Sequence, residues 1–498
     1  MRRQDSGTPR SCRRCPTVSS SRPRRYLALS ITILACAALG AQAAQAQLLR
    51  RPLALENARI LTMDGPVIEN GTLLVKGENI VAVGAGVKAP ILAAKVDAQG
   101  GTVSPGLIDA LSALGAGDSA GGGAGPTRRA EDAFDRYDTA ALVDTLRNGV
   151  TAIYLPAGGS VGISGTGAVL RLAAGPVRNE SYGRVLRSEA ALCVDLGSAG
   201  TAVARLKTLA AVRKQFLDAL EYRRSLEDYE EKLAEYKKSL KEGSSKKEPP
   251  KKEPAKKEEK PTSAAADADS ADLAEKEEKK EEAKPAEAKK EEETKPKKPA
   301  RPPRNPTLSL LLRAVDRELP VRVLAHRSED ILNALELAKE FHLDLILEGA
   351  TEAHLVAGQI AEAEVPVVLG SMALGGVRRD DPFRRATRQS GAVLGAAGVR
   401  WIVGSGGQTV AGARFVAFNA QLAAAHNRAD DPIKGVTADA ADTLRVGGQI
   451  GRIRPGLLAD FVLWSADPSD PAAKVRRVYV GGELVYQAPD EVKKGETR

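Results

Sequence analysis

Strand-like apolar runs alternate with helical patterns through the middle of this 498-residue chain, and that alternation fixes the fold class. The runs are 149–155, Val321-Arg-Val-Leu-Ala-His326, Leu343-Asp-Leu-Ile-Leu-Glu348, 365–369 and 399–403. Between two of them, Asp330-Ile-Leu-Asn-Ala-Leu-Glu-Leu-Ala-Lys-Glu-Phe341 places apolar residues at helical spacing, as a βαβ crossover requires. Such crossovers build a parallel sheet, most simply a closed barrel. Stretches 52–104 and 446–487 read differently: short β-branched runs separated by turns such as Asp64-Gly65, Gly77-Glu78-Asn79 and Gly481-Gly482. Two strand-rich ends bracket a long αβ middle.

That middle is interrupted. Residues 227–305 are rich in Lys, Glu, Pro and Ala, with 22 acidic and 22 basic residues from Glu227 to Arg304. Tyr222 to Leu240 fits a charged helix in which Glu231 and Glu235 stand one turn apart. Beyond Gly243 there is too little apolar surface to offset the entropy of ordering, so a disordered, charge-balanced spacer is expected. Only its basic end, Lys295 to Arg304, has the character of an anion-binding tail.

The formal charge of +9 points less to a polyanionic partner than it first suggests, because residues 1–25 hold eight Arg against Asp5 alone. The rest of the chain is close to neutral, and no nucleic-acid partner is expected. Arg24-Arg25 leads into the apolar stretch Tyr26 to Gly40 and then Ala41-Gln-Ala43 and Ala44-Gln-Ala46, the pattern of a secretory signal cleaved near Ala46. Arg24-Arg25-Tyr26-Leu27 also has twin-arginine character, and Ile33-Leu34-Ala35-Cys36 lipoprotein character. An exported protein of the periplasm or cell envelope follows, with no membrane span in the mature chain. Cys12, Cys15 and Cys36 fall in the leader, so Cys193 is the one cysteine left, and its Ala-Leu-Cys-Val setting suits a buried, inert thiol. Neither a Gly-x-Ser-x-Gly elbow nor a Gly-x-x-x-x-Gly-Lys phosphate loop occurs. The glycine-rich stretch Gly158 to Gly167 follows a strand without dinucleotide-binding spacing, and a turn-rich loop at the barrel mouth is expected there.

Several separated motifs occur in a fixed order: Ala58-Arg-Ile-Leu-Thr62, Gly71-Thr-Leu-Leu-Val75, Ile80-Val-Ala-Val-Gly84, Ser104-Pro105-Gly106-Leu107-Ile108-Asp109, Gly149-Val-Thr151, His326-Arg-Ser-Glu-Asp-Ile331, Gly451-Arg-Ile-Arg-Pro-Gly456, Ala459-Asp460 and Trp464-Ser-Ala-Asp-Pro468. Together they resemble the amidohydrolase superfamily, closest to secreted relatives of imidazolonepropionase, over the whole chain except the leader and the charged insert. The resemblance implies a (β/α)8 TIM-like barrel with a small β-sandwich domain formed by both chain ends, plus the long disordered insert. The boundaries expected are 1–46 for the signal, 47–104 and 445–490 for the composite β domain, 105–226 and 306–444 for the barrel, and 227–305 for the insert. Without the insert the barrel has roughly the usual 250 residues.

The resemblance also implies metal-assisted hydrolysis of carbon–nitrogen bonds, in which a divalent metal at the barrel mouth lowers the pKa of bound water. Here this chain departs from the family. The His-x-His of the first strand falls on Leu111 and Ala113, which offer no lone pair, and strand alternation points both to the same side as Asp109. The carboxylate expected after the last strand, usually ligand and general base, falls on Gly406. His326 matches one ligand histidine, and the next strand ends in Glu348-Gly349 with no histidine. His354 lies beyond that strand at a helix start, where solvent-facing or capping roles are ordinary, and His342 and His426 sit in helix-like surroundings. Two readings stay open. One is a catalytically impaired amidohydrolase-like protein without a metal, acting as a binding or scaffold module for a small molecule or an envelope partner. The other is a hydrolase with zinc held by a reduced set of Asp109, His326 and Glu348, with His354 as a weaker candidate. A homo-oligomer is compatible with either.

Overall fold

The computed structural model describes residues 51–116, 125–158, 161–172, 184–198, 200–245, 298–370, 383–407, 409–427 and 432–489. The expected signal and most of the expected disordered spacer lie outside the described residues. Two compact units divide the chain: residues up to Arg213 together with those from Arg313 onward, and Lys214–Leu312.

In the larger unit the chain ends build one sheet. Strands β1 (Leu53–Ile60), β2 (Ile68–Lys76), β3 (Asn79–Gly84), β4 (Ala94–Asp97) and β5 (Thr102–Pro105) come from the first end. Strands β14 (Phe461–Trp464), β15 (Val475–Val480) and β16 (Glu483–Gln487) come from the second. The order is β16-β15-β14-β5-β1-β2-β3, with β4 beside β1. The two ends join where β5 pairs antiparallel with β14, Pro105 opposite Phe461. Where a sandwich of two sheets was expected, one hydrogen-bonded sheet folds over its own core. The isolated bridge between Asn79 and Leu458 ties edge strand β3 to the segment before β14, and Gly482 N, in the turn between β15 and β16, donates to Ala459 O of the same segment. Leu55, Leu73, Ile80, Val103 and Leu463 fill the fold, with Phe461 stacked on Tyr479 at 4.6 Å.

The second sheet also has eight strands: β6 (Leu107–Asp109), β7 (Val150–Leu155), β8 (Gly162–Arg171), β9 (Arg184–Asp195), β10 (Val321–Ala325), β11 (Leu345–Gly349), β12 (Val367–Leu369) and β13 (Trp401–Val403), in sequential order. Helices cover it as the apolar spacing predicts. Helix Ser328–Phe341 buries Ile331, Ala334, Leu337 and Phe341 and ends at His342, which takes the left-handed conformation with φ 55°. Helix Thr139–Arg147 is started by Asp138, whose carboxylate accepts from Ala141 N.

The sheet departs from a (β/α)8 pattern at β8, which runs antiparallel to both β7 and β9. Residues 162–167 are therefore strand rather than mouth loop. Their glycines allow close approach of neighbours: a Cβ on Gly167 would strike the Tyr154 hydroxyl, and one on Gly165 the Arg128 carbonyl.

Helix Ala202–Ser245 is one continuous element and contains the charged helix expected from 222 to 240. In the smaller unit, Tyr222 Oη receives a hydrogen bond from Asn305 N at 3.4 Å, so the chain returns beside the helix it left.

The seam between terminal sheet and barrel, both within the larger unit, is where the sequence motifs meet. A Cβ on Gly106 would collide with the Thr151 side chain, while Gly106 N donates to Asp460 O at 2.9 Å. Trp464 Nε1 donates to Ser104 Oγ at 2.9 Å, and its ring lies against Gly149. The buried Arg171 of β8 holds Asp460 through Nε at 2.8 Å and Nη2 at 2.5 Å, and reaches Glu78 at 3.0 Å. Gly481 N also donates to the Asp460 carboxylate.

Removing one partner of this pair strands the other charge. Arg171→Met is expected to cost about 3–5 kcal/mol in urea unfolding. The double variant Arg171→Met/Asp460→Asn should recover part of that loss.

Candidate functional site at the barrel mouth

β6 and β13, the first and last barrel strands, share no strand ladder. Asp109, the last residue of β6, bridges them instead: its Oδ1 accepts from Ser405 N at 2.8 Å and from Leu111 N at 3.2 Å. Ser405 Oγ donates to Leu111 O at 2.9 Å, and Gly406 N donates to the same carbonyl at 3.1 Å. Asp109 is fully buried, and its Oδ2 finds no hydrogen-bond partner among the described residues. Burial pushes its carboxyl above the ordinary carboxylate value, against the pull of the Ser405, Ser112 and Leu111 hydrogen bonds.

Because β6 stops at Asp109, the alternation expected to carry Leu111 and Ala113 into the mouth does not extend to them; both lie past the strand end. Leu111 is buried and packs where β13 gives way to loop. A Cβ on Gly404 would come within 2.8 Å of Leu111 N, and one on Gly407 within 3.5 Å of its side chain. Ala113 is half-buried. Gly406 has φ +93°, a conformation that disfavours the aspartate expected there.

His326 follows β10 and is buried. Its Nδ1 lies 2.9 Å from Thr351 Oγ1, and its ring meets Phe383 edge-on with centroids 4.7 Å apart. The ring also covers Gly349, where φ is +74° and a Cβ would approach the imidazole to 2.6 Å. His354 Nδ1 stands 3.4 Å from Ser390 Oγ in a short 3-10 turn, with partial burial lowering its pKa. His342 caps its helix, and exposed His426 lies 2.9 Å from Leu422 O.

Glu348 is occupied elsewhere, in a buried ion pair with Arg322 of the neighbouring strand. Arg322 Nη2 also donates to Ala110 O at 2.7 Å, and its guanidinium sits 3.7 Å over the Tyr154 ring. Tyr154 Oη is 3.2 Å from Cys193 Sγ. Burial raises the Glu348 carboxyl despite the opposing pull of Arg322, and pushes the Cys193 thiol up to about 11. Cys193 is therefore protonated at neutral pH, as its apolar setting suggested.

Sequence reasoning named Glu348 but missed Arg322 and Tyr154. The signal was available: Arg322 and Glu348 are the lone charges in two adjacent apolar strand runs, Val-Arg-Val-Leu-Ala and Leu-Ile-Leu-Glu. An unpaired charge there would be prohibitive.

Asp109, His326 and Glu348 thus hold separate local partners. Among the described residues no three His, Cys, Asp or Glu side chains converge in a way that could hold a metal ion. The donor set does not fit the zinc that the family resemblance implies, since catalytic zinc takes three protein ligands.

The fold matches the crystal structure of an amidohydrolase from Thermotoga maritima MSB8, with a TM-score of 0.64 and 22% identity over 88% of this chain and 100% of that one. A prolidase complexed with N-methylphosphonate-L-proline (TM-score 0.49, 17% identity, 88% of this chain and 100% of that one) superposes less well. So does the A. niger ochratoxinase (0.46, 14%, 88% and 96%). The first, at 22% identity, shows the fold alone. No protein-family model matches the chain. No curated protein matches it either.

Replacing Asp109 tests its structural role. Its raised pKa means that the folded state favours the neutral acid, so its contribution is greatest below the ordinary carboxylate pKa and is lost as pH rises through the folded value. The stability of wild type minus that of Asp109→Asn should therefore fall as pH rises from about 4 toward neutrality. Asp109→Ala, which leaves two backbone N–H groups without their acceptor, should cost about 1–3 kcal/mol per group at low pH, with the same decline as pH rises. Denaturant titrations across the pH series check both.

Proposed function

We propose that this chain is an exported member of the amidohydrolase superfamily, akin to secreted imidazolonepropionase relatives, that has lost metal-dependent hydrolysis. It acts as a binding or scaffold module in the cell envelope. The observation that carries the reading is the fate of the strand-end positions. Leu111, Ala113 and Gly406 offer no side-chain donor, and the remaining acids and histidine are engaged in the fold.

General physics supports it. A metal-bound water needs ligands in firm geometry and a nearby proton acceptor. Asp109 spends one oxygen on the Ser405 and Leu111 amides, Glu348 is matched by Arg322, and the expected general base is a glycine. On this reading the partner is a small molecule or an envelope component, and the insert is a spacer.

Metal analysis of purified protein after dialysis against zinc is expected to give well under one zinc per chain. Turnover of acyl-amino acids and cyclic amides should not exceed the no-enzyme rate, and His326→Ala should change neither result. One zinc per chain together with turnover, both abolished in His326→Ala, would establish instead the reduced zinc site of Asp109, His326 and Glu348.

A further inference from the structure

The part of helix Ala202–Ser245 that belongs to the smaller unit carries an apolar seam. Tyr222, Leu226, Tyr229, Leu233, Tyr236 and Leu240 follow one another at alternating steps of four and three residues, which puts them on one face. The first five are half-buried, while every residue off the seam between Leu226 and Tyr236 is exposed. Leu240 is 50% exposed. The seam is therefore covered as far as Tyr236 and open at Leu240.

The returning chain, residues 298–305, has a matching character. It contains Pro299, Pro302 and Pro303, and Pro306 follows, so proline either fixes φ or restrains the preceding residue at most of its positions. Those restraints favour an extended polyproline II strand with three residues per turn. Burial keeps that period: Pro299, Pro302 and Asn305 are half-buried, and Lys298, Ala300, Arg301, Pro303 and Arg304 are exposed. One face of the strand thus lies against a surface. Asn305 N donates to Tyr222 Oη at 3.4 Å, and strand and helix belong to the same compact unit. The lengths also agree, since Lys298 to Asn305 spans about 22 Å of polyproline II strand and Tyr222 to Tyr236 about 21 Å of helix. One turn of the strand advances about 9.3 Å against about 10.5 Å for two turns of the helix, so successive inward residues meet successive tyrosines. Charge agrees in sign. Residues 227–235 hold Glu227, Asp228, Glu230, Glu231 and Glu235 against Lys232 alone, whereas the strand carries Lys298, Arg301 and Arg304 and no acid.

We infer that the seam from Tyr222 to Tyr236 is a recognition surface for proline-rich strands in the polyproline II conformation, and that its occupant here is the chain's own segment 298–305. Proline rings suit the faces of tyrosines, and a strand already held in its bound shape loses little entropy on docking. The basic end of the insert, which has the character of an anion-binding tail, finds its acidic counterpart on this helix. The insert then has a clasped end and is more than a free spacer. That role goes beyond the function proposed above and is independent of metal content or turnover.

Fluorescence anisotropy with a labelled peptide of the strand's own sequence, Lys-Pro-Ala-Arg-Pro-Pro-Arg-Asn, tests it on the full chain. Saturable binding is expected in Pro299→Gly/Pro302→Gly, whose resident strand is loosened. The wild type, still occupied by a tethered strand, should bind at least about tenfold more weakly. Adding Tyr229→Ser to the loosened variant should cost a similar factor, and so should replacing the first two prolines of the peptide by glycine, which keeps its charge. Circular dichroism and melting curves are the folding control, and Pro302→Ala alone takes the place of the double variant if that one melts early. No binding by the loosened chain, binding by the wild type as tight as by the loosened chain, equal binding of the glycine peptide, or a Tyr229→Ser change without effect would overturn the proposal.

Discussion

Closure of the barrel centres on one buried carboxylate and the loop after β13 that it meets. β6 is only three residues long and has no ladder to β13, so the first and last strands are joined by Asp109 Oδ1, which gathers the amides of Ser405 and Leu111. Carboxylates that accept backbone N–H bonds usually have depressed pKa values, yet burial raises this one. Burial thus outweighs the hydrogen bonds at this joint. Ser405 completes it through its hydroxyl on Leu111 O, and Asn419 reaches the Gly404 carbonyl from the covering helix. A residue that the sequence offered as a candidate metal ligand is thus a closure device in this chain.

The barrel interior follows the same economy. Arg322 and Glu348 neutralise one another on adjacent strands, Arg322 caps the Ala110 carbonyl, and the Tyr154 face covers the guanidinium. A buried pair of this kind adds little net stability over apolar packing, but losing either member is expensive. It also consumes the one carboxylate that β11 could have offered to the mouth. The antiparallel β8 belongs to this arrangement, because its Gly167 backbone admits the Tyr154 hydroxyl that reaches Cys193.

Much of the fold was legible because periodicity reports burial directly. The strands 321–325 and 345–349 and the helix 328–341 fall where their apolar spacing puts them. The Pro105-Gly106, Gly149-Val-Thr151 and Ala459-Asp460 motifs prove to be one packed seam. Strand direction was not legible: residues 162–167 carry turn-like glycines, and nothing local tells that these glycines yield to Tyr154 and Arg128 rather than form a loop. At the mouth, the absence of donors at 111, 113 and 406 was readable residue by residue. What could not be read was that Asp109, His326 and Glu348 each have a local partner.

Those partners tie the candidate positions to the fold as well as to one another. Placing imidazoles at positions 111 and 113 would set them past the end of β6, in a segment pressed against Gly404 and Gly407. Asp109 would have to surrender the Ser405 amide to turn toward a metal, removing one of the bonds that join the end of β6 to the segment after β13. Glu348 could coordinate only by leaving Arg322 with an uncompensated charge in a dry interior. Gly406, at φ +93°, would resist the carboxylate needed as proton acceptor. Coordination by Asp109 or Glu348 would therefore break a contact that the present structure makes.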